Sequence, residues 1–225
     1  MNNRYKAVIF DVDGTLLNTR EGILTSVGAT LREFDMRPLA PHEEKLFIGP
    51  PIQRSLMEVY GLSKEEAQEF ANVFRNTYSQ HEFLFRAEVY PGIEELMIRL
   101  REAGYKNAVA TYKREDYAID IVEHFGLAKH SDVIHGADNF NRLTKSDIIR
   151  LCIEEMGLTP DQCVMVGDSD NDAIGAEGIG CPFIGVTYGF GFESKEDVME
   201  FKNIGVAPSP DEIFDIVTGQ ITDRI

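Results

Sequence analysis

The sequence predicts an α/β fold, a doubly wound parallel sheet with an all-helical insertion after its first strand. Three observations carry this expectation. Short β-branched runs alternate with amphipathic stretches over most of the chain, the alternation breaks once in a long helical segment, and carboxylates gather where two of the apolar runs end. Alternating strands and helices imply parallel pairing through right-handed crossovers, with ligands bound beyond the carboxyl ends of the strands.

The elements follow in order. Ala7–Phe10 reads as the first strand. Helical signals then fill roughly 21–35, 52–60 and 64–85, the last with Ala67, Phe70, Ala71, Phe74 and Tyr78 on one face, as in a small bundle. Pro91-Gly92 returns the chain to the α/β pattern. Ile93, Leu96, Met97 and Leu100 recur at helical spacing up to a stop at Gly104. The run Ala108–Thr111 is the second core strand, and Ile119, Val122 and Phe125 form a helix stopped by Gly126. Asp132–His135 follows as a strand, then Ile148, Ile149, Leu151, Cys152 and Met156 on a helix stopped by Gly157. Strands at Val164–Gly167 and Phe183–Val186 complete the pattern. The expected division is an α/β core of residues 1–17 and 89–225 and a helical cap of residues 18–88.

Composition narrows the function. With 43% hydrophobic and 27% charged residues, the chain matches an ordinary globular protein of 225 residues. No apolar run approaches the ~18 residues of a membrane span, and Ala7–Phe10 is too short for the core of a signal peptide. Lysine and arginine number 22 against 38 aspartate and glutamate, a net charge of −16, which repels nucleic acid and anionic membranes. Cys152, Cys163 and Cys181 show no C-x-x-C spacing and read as core fillers in a reducing cytoplasm. His42, His81, His124, His130 and His135 match no metal-ligand spacing.

The chemistry sits at strand ends. In Phe10-Asp11-Val12-Asp13-Gly14-Thr15, side chains alternate faces, so Asp11 and Asp13 point one way while Val12 packs. Gly14 permits a sharp turn and close approach to a ligand. Paired carboxylates bind a hard cation such as Mg²⁺ or divide nucleophile and acid/base roles; the plain alternative is an Asp-Gly turn. Cys163–Val166 runs into Gly167-Asp168-Ser169-Asp170-Asn171-Asp172, a second crowd of acids. A helix N-cap at Ser169 or Asp170 needs one such residue, and several converging carboxylates repel one another unless a cation joins them. Ala110-Thr111-Tyr112-Lys113 offers a hydroxyl at a strand end, and Lys145, at the head of a helix, offers a positive charge.

Taken in order, Asp-x-Asp-Gly-Thr, then Thr111, Lys145 and Gly-Asp-x-x-x-Asp resemble the haloacid dehalogenase superfamily over the whole chain, within it the phosphoglycolate phosphatase-like branch. Phe47–Ile52 and Tyr188–Gly191 resemble substrate-facing loops of that branch. The resemblance implies a Mg²⁺-dependent phosphatase acting on a small phosphorylated metabolite. Asp11 would be the nucleophile, forming an aspartyl-phosphate, and Asp13 the acid/base. Thr111 and Lys145 would hold the phosphoryl group. Asp11, the backbone carbonyl of Asp13, and Asp168 would bind Mg²⁺, with Asp172 completing or orienting that shell. Gly14, Thr15, Tyr112 and Lys113 of the core, and Gly49, Pro50 and Arg54 of the cap, are the expected substrate-binding residues. Phosphoglycolate is the substrate the resemblance suggests first, with nucleoside 5′-monophosphates or pyrophosphate as alternatives; another class is a non-catalytic phospho-ligand sensor. A monomer or homodimer is expected.

Two departures qualify this. Asn18-Thr19 stands where the family often has Asp-Ser, and Arg20-Glu21 occupies the stretch where mutases carry a cap His and Lys. Lys45, the nearest candidate for a phosphonatase Schiff base, sits in a charged context as a surface lysine.

Overall fold

Six strands pair in parallel, and the central ones are covered on both faces, as crossover helices on either side of a parallel sheet require. In the computed structural model, which describes residues 4–140 and 142–219, the elements in chain order begin with β1 (Ala7–Phe10) and β2 (Leu17–Asn18). The helices α1 (Arg20–Glu33), α2 (Ile52–Tyr60), α3 (Lys64–Tyr78) and α4 (His81–Leu84) come next. After β3 (Glu88–Val89), strands and helices alternate: α5 (Ile93–Glu102), β4 (Lys106–Arg114), α6 (Glu115–His124), β5 (Val133–Ala137), α7 (Lys145–Glu155), β6 (Cys163–Gly167), α8 (Asp170–Glu177), β7 (Phe183–Val186), α9 (Lys195–Met199), β8 (Gly205–Ala207) and α10 (Pro210–Thr218).

The sheet order is β5-β4-β1-β6-β7-β8, with every neighbouring pair parallel. The winding therefore reverses at β1, and the crevice of such a sheet opens beyond the ends of β1 and β6. Register makes the two ends level: Phe10 lies opposite Val166 on one side and Val109 on the other. All four residues of β1 are fully buried, which suits a central strand covered on both faces. One face packs Ile9, Ala108, Met165 and Phe183 against Ile148, Ile149 and Cys152 of α7. All three cysteines are free and buried.

Contacts divide the chain into two compact units, one running to Leu17 and resuming at Val89, the other Asn18–Glu88. Within the second unit α1 and α2 pack on α3, and Phe34 meets Phe70 at 5.1 Å between ring centroids. Ser63 and Glu66 form a capping box that starts α3, an arrangement that contributes about 1 kcal/mol.

Several boundaries differ from the sequence reading. The helix expected over 64–85 stops at Tyr78, and α4 follows as one short turn. The stretch expected to lack strands holds the two-residue β2 and β3, too short to leave a periodic signature. β4 runs on to Arg114. β8 carries no periodic signature in the sequence, because Gly205-Val206-Ala207 is only three residues long and one of them is glycine. Gly104, Gly126 and Gly157 do follow α5, α6 and α7 with positive φ, as helix stops require.

Candidate active site

The ladder between β1 and β6 carries one residue past the strand end, where the Asp11 amide donates to the Val166 carbonyl at 3.0 Å. The chain then turns tightly. Gly14 N–H donates to Leu17 O at 2.9 Å, and the amides of Leu16 and Leu17 reach Val12 O. Val12 is fully buried, while Asp11 and Asp13 are buried polar groups. Gly14 has φ +81°, and a Cβ there would lie 2.0 Å from Asp168 Oδ2. The residue is glycine for both reasons: the backbone is left-handed, and β1 and β6 loops meet at its Cα.

The β6 end is equally crowded. A Cβ on Gly167 would lie 2.3 Å from Asp172 Cγ. Asp168 Oδ2 accepts the backbone N–H groups of Phe190 at 2.6 Å and Gly191 at 3.1 Å. Asp172 Oδ2 accepts from the Ser169 amide and hydroxyl at 3.1 and 2.7 Å, the back half of a capping box on α8. The N-cap reading of this motif and its acidic-site reading thus meet in one carboxylate. Its other oxygen faces Lys145.

Lys145 is the first residue of α7, started by a Thr144–Asp147 capping box. Its Nζ donates to Asp11 Oδ1 at 2.8 Å and lies 2.6 Å from Asp172 Oδ1, with its side chain 3% exposed. Across the crevice Lys113 Nζ is 3.0 Å from Asp13 Oδ1, and both side chains are buried. Thr111, also buried, accepts the Lys113 amide on its Oγ1 at 3.2 Å.

Burial dominates the electrostatics. It pushes the Asp11 carboxyl up to about 6; Asp172 and Asp13 add to the rise while Lys145 opposes it. Asp168 is raised by burial, then by Asp172 and Asp11, against the two amides that favour its charge. Burial pulls Lys145 down, but Asp11 and Asp172 outweigh it and hold the ammonium charged.

Asp11, Asp168 and Asp172 each place one oxygen within 4.8 Å of the others. Asp172 Oδ1 is buried and lies 2.6 Å from Lys145 Nζ. An all-oxygen, multiply anionic donor set of this kind suits a hard divalent cation. The Asp13 carboxylate is not part of the trio. In cation-free protein, raised carboxyl pKa values mean that stability falls as pH rises from the usual carboxylate range through about 6. A cation needs those groups ionised. Added Mg²⁺ is therefore expected to raise the melting temperature of chelator-treated protein more at pH 8 than at pH 5. Equal increments in a thermal-shift assay would place binding elsewhere.

The remaining expected residues fall in three places. Thr15 Oγ1 is buried with no hydrogen-bond partner among the described residues, and the Thr15 carbonyl accepts the Tyr188 hydroxyl at 3.0 Å. The Tyr112 hydroxyl accepts the Lys145 backbone N–H at 2.9 Å; a helix start leaves amides that need such a partner. Gly49, Pro50 and Arg54 belong to the helical unit, where Gly49 has φ +98° and Arg54 is exposed on α2. The reading of residues missed Phe190 and Gly191 as holders of Asp168, since backbone amides have no residue signature. The one signal was glycine: a Cβ on Gly189 would lie 2.3 Å from Gly14 O and 2.4 Å from Asp168 Oδ2.

Residues 8–186 match the family model for haloacid dehalogenase-like hydrolases. The chain belongs to that family. This haloacid dehalogenase-like hydrolase is 37% identical over 195 residues to a 5′-nucleotidase of Pseudomonas aeruginosa, covering 85% of this chain and 87% of the relative. It is 31% identical to a phosphoglycolate phosphatase of Haemophilus influenzae over 96% of both chains. The crystal structure of a predicted phosphatase from Clostridium acetobutylicum superposes with a TM-score of 0.87 at 37% identity, covering 94% of this chain and 97% of that one. The parallel α/β fold matches that of a phosphatase of the family, as the sequence resemblance implied. Among the described residues, no helix of this hydrolase is long and apolar enough to cross a membrane.

Proposed function

We propose that this haloacid dehalogenase-like phosphatase is a Mg²⁺-dependent phosphomonoesterase that works through an aspartyl-phosphate on Asp11. The observation that carries the reading is the constellation at the ends of β1 and β6: Asp11 held at 2.8 Å by Lys145, beside Asp168 and Asp172, with Asp13 two residues away. In the first half-reaction an Asp11 oxygen bonds to phosphorus as the P–O bond to the leaving alcohol breaks, and the Asp13 carboxyl gives its proton to that oxygen. In the second, water gives a proton to Asp13 while its oxygen bonds to phosphorus, and the Asp11–phosphorus bond breaks to release phosphate. Lys145 and Thr111 bind the phosphoryl oxygens. Asp11, Asp168, Asp172 and the Asp13 carbonyl would hold Mg²⁺, which supplies charge neutralisation for those oxygens.

The helical unit Asn18–Glu88 serves as the cap that selects substrate, with Gly49, Pro50 and Arg54 as its candidate contacts. The relatives support two small substrates, phosphoglycolate and nucleoside 5′-monophosphates. The presence of both Asp11 and Asp13 speaks against a non-catalytic sensor. The test is phosphate release with Mg²⁺ from a panel of phosphoglycolate, nucleoside monophosphates, sugar phosphates and pyrophosphate. Hydrolysis of at least one monoester, lost on chelation, is expected; silence across the panel would return the sensor reading.

A further inference from the structure

β4 does not end as an ordinary strand. Ala110 pairs with His135 and Arg114 with Ala137, so four steps along β4 oppose two along β5. Extra residues of this kind bend a strand and re-aim its side chains, a device common beside active sites. Here the surplus falls on Thr111, Tyr112 and Lys113. It brings Lys113, buried like Thr111, to Asp13 at 3.0 Å.

The partner strand is shaped to permit it. A Cβ on Gly136 of β5 would lie 2.5 Å from the Lys113 carbonyl oxygen and 2.5 Å from Glu115 Cα. Glu115 in turn accepts the Gly136 amide on Oε2 at 3.2 Å and faces His135 Nδ1 at 3.1 Å, which ties β5 to the start of α6 just past the bulge. The missing side chain at 136 lets the bulged backbone sit against β5.

A long lysine side chain carries much rotamer entropy, and burial of its ammonium is costly unless a partner compensates. Lys113 accepts both costs to stand on the carboxylate assigned to proton transfer. We propose that Lys113 is a positioning residue for Asp13: its ammonium fixes the carboxyl group where the leaving oxygen will be, and the Gly136-dependent bulge delivers it there. This rests on the acid/base reading of Asp13. It also replaces the expectation that Lys113 is foremost a substrate contact.

General-acid assistance matters for a poor leaving group and little for a good one, which gives positioning a signature that loss of fold or of substrate binding lacks. Wild type, Lys113→Gln, Lys113→Arg, Gly136→Ala and Asp13→Asn are compared on p-nitrophenyl phosphate, a neutral alkyl phosphate and phosphoglycolate. For Lys113→Gln, kcat on both alkyl phosphates is expected to fall about tenfold or more beyond its fall on the aryl phosphate, within the 10²–10⁴-fold range of acid–base catalysis. Lys113→Arg restores part of the difference. Gly136→Ala, which removes no charge, reproduces the bias through the backbone. Equal losses on aryl and alkyl phosphates would overturn the proposal. So would a change confined to KM for phosphoglycolate, which would return Lys113 to the substrate's carboxylate. Asp13→Asn separates the two levels: if it shows no leaving-group bias, the acid/base reading itself fails, whereas bias in Asp13→Asn without bias in Lys113→Gln overturns only the positioning role.

Discussion

Lys145→Met is expected to cost about 3–5 kcal/mol of folding stability at pH 8 without divalent cation, the penalty for breaking a buried ion pair from one side. Lys145 faces two buried carboxylates, Asp11 at 2.8 Å and Asp172 at 2.6 Å. Methionine keeps most of the stem, so packing survives. That stem is closely held, since a Cβ on Gly175 of α8 would lie 2.6 Å from Lys145 Cγ. What disappears is the counter-charge, leaving two neighbouring buried carboxylates uncompensated. The sign with pH follows from Asp11. Its carboxyl, raised to about 6 even with the lysine in place, is protonated below that value and then needs no cation beside it. The deficit in urea denaturation should therefore shrink at pH 5. A loss below about 1 kcal/mol at pH 8, the range of an exposed pair, would show that Lys145 does not balance this cluster.

Asp11→Asn is expected to remove turnover by on the order of 10⁴–10⁶-fold, the scale seen when a covalent nucleophile is deleted. Asparagine matches aspartate in volume and still offers an oxygen to Lys145, so the fold should hold. With radiolabelled substrate and acid quench, wild type should retain label on the protein during turnover and the variant none. Residual activity within about 10²-fold of wild type would be too much for loss of a nucleophile and too close to loss of one positioned acid or base.

Much of this site is legible in residue types because the chemistry needs them. Asp11 and Asp13 follow an apolar run, Asp168 and Asp172 follow another, and parallel strands bring run ends to one edge. Lys145 could be placed only through its order relative to the other motifs; a lone lysine at a helix start is ordinarily solvated. The features that escaped depend on partners in other strands or on the backbone. The β4 bulge packs against Gly136, where there is no room for a Cβ, and that closeness is invisible until β5 lies alongside. Asp168 is held by the amides of Phe190 and Gly191, which every residue except proline carries. Tyr112 likewise has a partner that only the fold reveals, the Lys145 amide at the start of α7. Of the helical segments, α2 was read at its bounds, whereas the reading past α3 ran on because Phe83 and Leu84 prolong the apolar pattern through a break at Ser79 and Gln80.

The position of β1 bears on how the chain comes to be made. Of the strands of this sheet the earliest in the chain lies mid-sheet, and both of its neighbours come much later: Ala7 pairs with Lys106 and with Cys163. During translation its four fully buried residues have no partner until β4 emerges, and no complete setting until β6 does. The helices of Asn18–Glu88 contact near neighbours and can form meanwhile. Exposed strand of this kind is what chaperones cover on a growing chain. The same delay keeps the chemistry silent, because Asp11 and Lys145 stand 134 residues apart in sequence. A ribosome-bound fragment ending before β6 would carry the nucleophile without its full setting, so activity should switch on late in synthesis.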